Sequence, residues 1–480
     1  MALIVDDATF QTAAGIERLP VDASGDPAES ARAGAVRPGT WIVPIAVGLL
    51  VRILYWVVVT PNWTPRSDAR QYVDLARSLA AGDGFAARYP GTSLHPTAFR
   101  PPLYPAILAV PTKLFGPAAL WPGRLLAVII GLGVIALTVT YARRIAGDRA
   151  GLVAGLAVAL MPSLIANDTI TTTESLGLVL VLAVLLALLD SRAVLAGAMV
   201  GLLLLTRPNA YLVLLVVVIA LWRSVGWRRA GVAVGVCVCV VSPWVARNAV
   251  VVGTPKLVTS DGFTLAAIYG PPAVDTGGFV DPTVDDWYQD AGIHALAADE
   301  AAWSDALTRV AADGIRAHPE EVLRRAVGGA ASFAEVPGHR AWAAEIVDGR
   351  DTRFRNATLF LFPLFVAAGL AGTAIRARDR RTWPGIAIVG GFVALSLVTV
   401  SVPRLRGPFD LLMCIGIGYL AARLQERRQS MNDGFATGGR QGTATVPSSV
   451  DRNGQMEASG PAGVSVGPVA QVRGSAAETA

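Results

Sequence analysis

The sequence is short of charge. Only 16% of its 480 residues are Asp, Glu, Lys or Arg, against roughly 25% in soluble globular chains. Lysine is almost missing, with Lys113 and Lys256 alone, so the net charge of +5 comes from arginine. The three cysteines, Cys237, Cys239 and Cys414, lie in apolar runs without metal-ligand spacing and read as small buried hydrophobes. The four histidines, His95, His294, His318 and His339, are scattered, which excludes a His-rich metal centre. Together these shortages exclude an ordinary cytosolic enzyme, a disordered hub and a nucleic-acid binder. What is abundant is apolar sequence: 53% of residues are hydrophobic and the mean hydropathy is +0.50. The class that remains is an all-α polytopic membrane protein.

Polar tails are expected at both ends, 1–40 and 424–480, the second rich in Gly, Ser, Thr and Ala. No basic start followed by an apolar core marks a cleaved signal peptide. Between the tails, apolar runs near the roughly 20 residues of a membrane-crossing helix fall at 41–60, 121–141, 149–166, 174–190, 193–207, 208–223, 229–246, 356–375, 383–402 and 408–423. About ten transmembrane helices are therefore expected. The core is 41–246, with an outer loop at 61–120. A long outer loop at 247–355 precedes the last three helices, within 356–423. With the N-terminus inside, each inner connection carries arginine, including Arg143 and Arg144, Arg192, Arg228 and Arg229, Arg376 to Arg381, and Arg427 and Arg428. Both termini are then cytoplasmic. In the first outer loop Pro101-Pro102-Leu103-Tyr104-Pro105 bars a regular helix start, and 102–116 is read as an interfacial or partly re-entrant helix. In the second, Trp303, Leu307 and Val310 share a helix face, and Pro319 opens a further helix with Glu320 and Glu321 in its first turn, where the dipole favours acids.

Several outward polar residues call for a reason. Ser67 can cap a helix that starts at Asp68, and Asp68 and Tyr72 share one face of it. By itself Asp68 is more simply an acid at a helix start. Asp168 and Glu174 lie in the next outer turn, where Thr172 or Thr173 can cap the helix that follows. Arg247-Asn248 ends one span, and Arg404-Leu405-Arg406 fills a short turn on the side where arginine is otherwise sparse. Headgroup anchoring is the plain reading of such arginines, but a guanidinium fork also suits phosphate. Arg52 stands inside the first span, either reaching for the interface or pairing with an acid in the bundle.

Taken in order, these motifs resemble the C superfamily of membrane glycosyltransferases (GT-C), in the branch of protein O-mannosyltransferases, lipid A aminoarabinose transferases and their bacterial relatives. The elements are Asp68 with Tyr72; Gly82-Asp83-Gly84-Phe85; Arg100-Pro101-Pro102-Leu103-Tyr104-Pro105; Arg124 with Tyr141-Ala142-Arg143-Arg144; Pro162 with Thr173-Glu174-Ser175-Leu176; Thr206-Arg207-Pro208; Pro243-Trp244 with Arg247-Asn248; His318-Pro319; and Arg404-Leu405-Arg406 with Pro408. The resemblance runs from about residue 41 to 423. Many relatives read Asp-Glu where this chain has Asp68-Ala69, and Arg-Tyr-Arg where it has Leu405 between the arginines. The first departure removes an acid that could serve a metal.

The resemblance implies transfer of a sugar from a polyprenyl-phosphate donor to a lipid, glycan or protein acceptor outside the membrane, with inversion. Phosphate leaves readily, so one carboxylate to take the acceptor proton and cations to hold the departing charge suffice. A glycosidase needs two carboxylates because its leaving group is an alcohol. Asp68 is the expected base, and Glu174 positions the acceptor. Arg404, Arg406 and Arg247 bind phosphate. Tyr72, Arg100, Tyr104, Asp168, Asn248 and His318 complete the substrate site. No cofactor is required, a divalent metal stays open, and the partners are the lipid donor, the acceptor and the bilayer, with no nucleic acid. The bias to Arg, Ala, Gly and Val suits a GC-rich bacterium and its plasma membrane. The alternative is a secondary transporter or lipid-linked sugar flippase. Against it, the chain has no internal repeat and gathers its acids at one face rather than at the midplane.

The arginine distribution sets a test of topology. Single cysteines at residue 430 and within 247–355 are expected to react with a membrane-impermeant thiol reagent in intact cells only at the second position. Labelling at 430 from outside overturns the orientation.

Overall fold

The computed structural model describes residues 39–88, 92–335 and 346–440; the outer parts of both expected tails, 1–38 and 441–480, lie outside the described residues. Helix α1, Gly39–Leu54, runs on through a wide π turn at Tyr55–Val59. The first outer loop holds α2, Ser67–Ala81, a two-stranded antiparallel ribbon of β1, Ala86–Ala87, and β2, His95–Pro96, and α3, Leu103–Phe115. Then come α4, Trp121–Leu160, α5, Pro162–Asn167, α6, Glu174–Leu189, α7, Ala193–Leu204, α8, Tyr211–Val225, and α9, Trp227–Val251. The second outer loop contains α10, Ser260–Tyr269, α11, Pro271–Thr276, α12, Asp286–Asp290, α13, Glu300–Ala317, and α14, Glu320–Phe333. The last elements are α15, Thr352–Thr358, α16, Leu361–Arg376, α17, Trp383–Val398, and α18, Gly407–Arg440.

All ten expected apolar segments are helical, with differences in how they are cut. The segments 121–141 and 149–166 join in α4, which breaks at Ala146 and Gly147, where φ is +84°. Among the described residues five helices are long and apolar enough to cross a bilayer, six when the pair α15 and α16, bent by 55°, is counted as one span; α3, α6, α7 and α17 are shorter apolar helices. The final helix continues past residue 424, where the tail was expected, to Arg440. The chain divides into a body that ends at Arg427 and a second unit from Arg428, of which the described part is the last stretch of α18.

Burial follows the sequence pattern. Helix α6 is apolar all round, and Leu178, Leu180, Val181, Leu182, Val184 and Leu185 are all buried, as suits an interior helix. It packs between α4 and α7. In α1 and α9 large apolar side chains such as Leu50, Val57, Val58, Val238 and Val250 face outward, a surface matched to lipid rather than water. Helix α2 is amphipathic: Tyr72, Val73, Leu75 and Ala76 are buried against α3, while Arg70 and Arg77 flank exposed Asp74. Ser67, at φ 45°, makes no side-chain cap, and neither does Thr173 ahead of α6. The outer loop 247–355 has its own core of Tyr269, Tyr288, Trp303 and Leu307, completed by Phe99 from the first loop. At the opposite end, Arg144 pairs with Asp190 and Arg376 with Glu426. Small residues let α16 and α18 meet backbone to backbone: a Cβ on Gly372 would lie 1.7 Å from the Gly416 carbonyl oxygen, and one on Gly369 would lie 2.6 Å from Met413.

That approach is sensitive to volume. Gly372→Leu is expected to cost at least about 1–3 kcal/mol, the usual range for overpacking, and to lower the unfolding temperature in detergent by several degrees. An unchanged transition would show that the two helices do not need to touch.

Candidate functional site

The first turn of α2 points Asp68 at two guanidinium groups. Arg100 Nη2 is 2.5 Å from Asp68 Oδ1 and Arg404 Nη2 is 2.5 Å from Oδ2. Arg100 also donates from Nε to Gln71 Oε1 at 2.6 Å, and its guanidinium stands over the rings of Tyr72 and Phe99. Arg404 comes from a single 3₁₀ turn, Pro403–Arg406, between α17 and α18. Its Nε lies 3.4 Å from Glu174 Oε1, at the start of α6, and 3.2 Å from Asp348 Oδ2. Arg207, at the end of α7, approaches Glu174 Oε1 to 3.6 Å. Three acids and two further arginines, from five other stretches of the chain, are thus gathered about the nearly buried Arg404 guanidinium. Pairing of this kind is what makes buried charge tolerable.

The two loop carboxylates are held differently. Burial alone would raise the Asp68 carboxyl, but Arg100 and Arg404 overcome it and hold the group far below the usual carboxylate range. For Asp348 burial wins over Arg404, and its carboxyl is pushed up to about 6. Asp348 sits before Gly349, whose φ of +72° is left-handed and whose missing Cβ would lie 3.1 Å from Trp63 Nε1, so glycine is what allows this turn to press on the first loop.

The strap 97–100 that delivers Arg100 is pinned from the second loop. Arg247 donates to the Thr97 carbonyl at 2.6 Å and the Phe85 carbonyl at 3.0 Å, between the rings of Phe85 and Trp244. Glu300 accepts from Ala98 N–H at 2.8 Å and from the Thr259 hydroxyl at 2.5 Å. Asn248, fully buried, donates to the Lys256 carbonyl. Of these two residues expected to meet substrate, Arg247 is engaged in holding the strap, and Asn248 accepts from Arg247 Nη1 at 3.0 Å. His318 is half exposed beside Glu320 and is not brought to the cluster.

Asp168 is likewise diverted. It binds Arg52 at 2.8 and 2.5 Å and accepts from the Ser175 hydroxyl, with Arg52 fully buried. This settles the place of Arg52: it pairs with an acid inside the bundle. Tyr72 and Tyr104 do come together, edge to face at 5.5 Å, and the wholly buried Tyr104 hydroxyl has no hydrogen-bond partner among the described residues.

Arg406 faces away from Arg404, as alternate residues in a tight turn can. It binds Asp410 at 2.8 Å, Glu335 at 2.7 Å and the Phe333 carbonyl at 3.0 Å, with its guanidinium 3.8 Å above the Phe362 ring. Ser163 donates to Asp410, and Arg355 lies 3.1 Å from Glu335. These groups border a cleft between α5 and α15, lined by Met161, Ala166, Phe354 and Phe362 together with Arg350, Arg355, Arg406, Glu335 and Asp351. Asn167 joins cleft and cluster, accepting from Arg350 Nη1 at 3.3 Å and donating to the Arg404 carbonyl at 3.1 Å.

The sequence reading missed Asp348, Arg350 and Arg355 as site residues, because a loop rich in both signs of charge gives no clue to which side chains turn inward. Arg207 was visible only within a motif. Among the described residues no group of three His, Cys, Asp or Glu converges to hold a metal ion.

Comparison with known proteins follows the same lines. No curated protein sequence matches the chain. In structure it is similar to the oligosaccharyltransferase of Archaeoglobus fulgidus in its apo form, at 15% identity over 83% of this chain and 51% of that one, with a TM-score of 0.49. The chain thus spans about half the length of that enzyme. It is also similar to ArnT from Cupriavidus metallidurans, in the apo state at 18% identity over 79% and 76% of the two chains, TM-score 0.38, and bound to undecaprenyl phosphate at 18% over 83% and 80%, TM-score 0.39. Residues 99–246, which run from Arg100 and α3 through Glu174 and Arg207 into α9, match the family described as dolichyl-phosphate-mannose-protein mannosyltransferase.

Proposed function

We propose that the chain is a membrane glycosyltransferase that moves a sugar from a polyprenyl-phosphate donor to a hydroxyl-bearing acceptor outside the membrane, with inversion at the anomeric carbon. The observation that carries it is the pairing of two features joined by Asn167: a buried carboxylate cluster around Arg404, and an apolar cleft rimmed by Arg350, Arg355 and Arg406. The family matched by 99–246 is described by a lipid-phosphate sugar donor, and this cleft suits such a molecule at both ends. Its apolar wall takes the isoprenoid chain and its guanidinium forks take the phosphate.

In this reading the acceptor oxygen attacks the anomeric carbon from the cluster side while the bond from that carbon to the phosphate oxygen breaks. The electron pair leaves with the phosphate, whose charge the cleft arginines hold. The acceptor proton passes to a carboxylate. Glu174, held by Arg404 and Arg207, orients the acceptor. Arg404 serves less as a phosphate ligand than as the cation that keeps three acids together, and Arg406 reaches the phosphate from the other side of the turn. The site opens to the outer face given by the arginine distribution.

Transfer from a synthetic polyprenyl-phosphate mannose, measured in lipid nanodiscs, tests this. Arg355→Ala is expected to raise the donor concentration for half-maximal rate more than tenfold, since a charge-assisted contact is worth about 1.5–3 kcal/mol. Arg404→Lys should be clearly impaired and Arg404→Ala nearly inactive. Equal donor dependence in the wild type and all three variants, or no use of this donor, would contradict the reading.

A further inference from the structure

Asp68 and Asp348 flank the same guanidinium from different loops, and only one of them is suited to take up a proton. Asp68 has both carboxylate oxygens committed at 2.5 Å, one to Arg100 and one to Arg404. Protonating it would break a charge-assisted contact whichever oxygen took the proton. Asp348 reaches Arg404 through Oδ2, at the longer distance of 3.2 Å. It stands on the turn 348–351, whose Arg350 reaches Asn167 and, with Asp351, lines the cleft, so one short turn joins the carboxylate on Arg404 to the wall of the space assigned to the donor.

Resting on the glycosyl-transfer reading, we propose that Asp348 is the catalytic residue that accepts the acceptor proton, and that Asp68 is a positioning residue that holds Arg100 and Arg404 in place. As the acceptor oxygen forms its bond to the anomeric carbon, its O–H bond breaks toward an Asp348 oxygen. The bond from carbon to phosphate oxygen breaks with its electron pair on the phosphate. The products are the glycosylated acceptor, polyprenyl phosphate and a protonated Asp348, which then loses its proton to solvent. The groups that face Asp348 are Arg404 and Arg350, which favour its charged form, and Asp68 and Glu174, which oppose it. Burial adds to the opposition and sets its carboxyl at about 6, close to the range in which a base works best near neutral pH.

The test uses the full chain in nanodiscs with polyprenyl-phosphate mannose and two nucleophiles, water and azide. Water must lose a proton as it attacks, whereas azide has none to lose. Asp348→Asn is expected to lower the maximal rate of hydrolysis by at least about a hundredfold with the donor concentration for half-maximal rate unchanged, and to form mannosyl azide at a rate near that of the wild type. Wild-type hydrolysis should fall with acidification around pH 6, and the residual hydrolysis by Asp348→Asn should lack that limb. Asp68→Asn, by releasing both arginines, should lose both reactions. Asp348→Glu, which keeps the carboxylate, should retain part of the hydrolysis. Hydrolysis by Asp348→Asn at the wild-type rate, or failure of azide to restore turnover, overturns the assignment while leaving glycosyl transfer in place. A wild type that consumes the donor with neither nucleophile overturns the transfer reading, and this assignment with it.

Discussion

One buried guanidinium holds the site together. Arg404 receives Asp68 from the first outer loop, Glu174 from the start of α6 and Asp348 from the end of the second outer loop. Each of these acids, placed alone in an interior of low dielectric, would be driven toward its neutral form. Around a shared cation they can stay charged and close to one another. The ends of α17, α18, α2 and α6 are brought together by the same contacts, so the electrostatics of the site and the packing of these helix ends are a single arrangement.

The two outer loops depend on each other in a second way. Glu300 and Arg247 grip the strap 97–100 from opposite sides, through backbone groups that carry no side-chain identity. Arg100 is thereby delivered to Asp68 by residues that never touch it. Phe99 from the same strap fills the aromatic core of the second loop. Loop packing and site geometry are thus coupled: a residue such as Arg247 can matter to chemistry because a carbonyl oxygen needs a partner, without meeting a substrate.

Charge inside the membrane-crossing bundle follows the same rule of compensation. Arg52 and Asp168 stand opposite each other in the interior with Ser175 alongside, and Arg406 is matched by Asp410 and Glu335. An unpaired charge there would be costly, so each of these groups specifies a neighbour. The cleft beside α5 extends the pattern: Arg350, Arg355 and Arg406 line it together with Glu335 and Asp351, along apolar walls.

By itself the sequence determined the all-helical membrane class, because long apolar runs have one stable solution in a bilayer. It also determined where the apolar helices lie and the helical face shared by Asp68 and Tyr72. The order of these motifs carried the resemblance that the match over 99–246 repeats. Tertiary structure decided which charges meet. Asp68 and Asp348 are both acids in loops, and nothing local distinguishes a carboxylate clamped by two arginines at 2.5 Å from one that meets Arg404 at 3.2 Å. Arg247 and Asp168 read as site residues by type and position, yet one went to backbone carbonyls and the other to Arg52. Pair identity depends on distances between segments hundreds of residues apart along the chain, and a periodic apolar pattern fixes helices without fixing those distances.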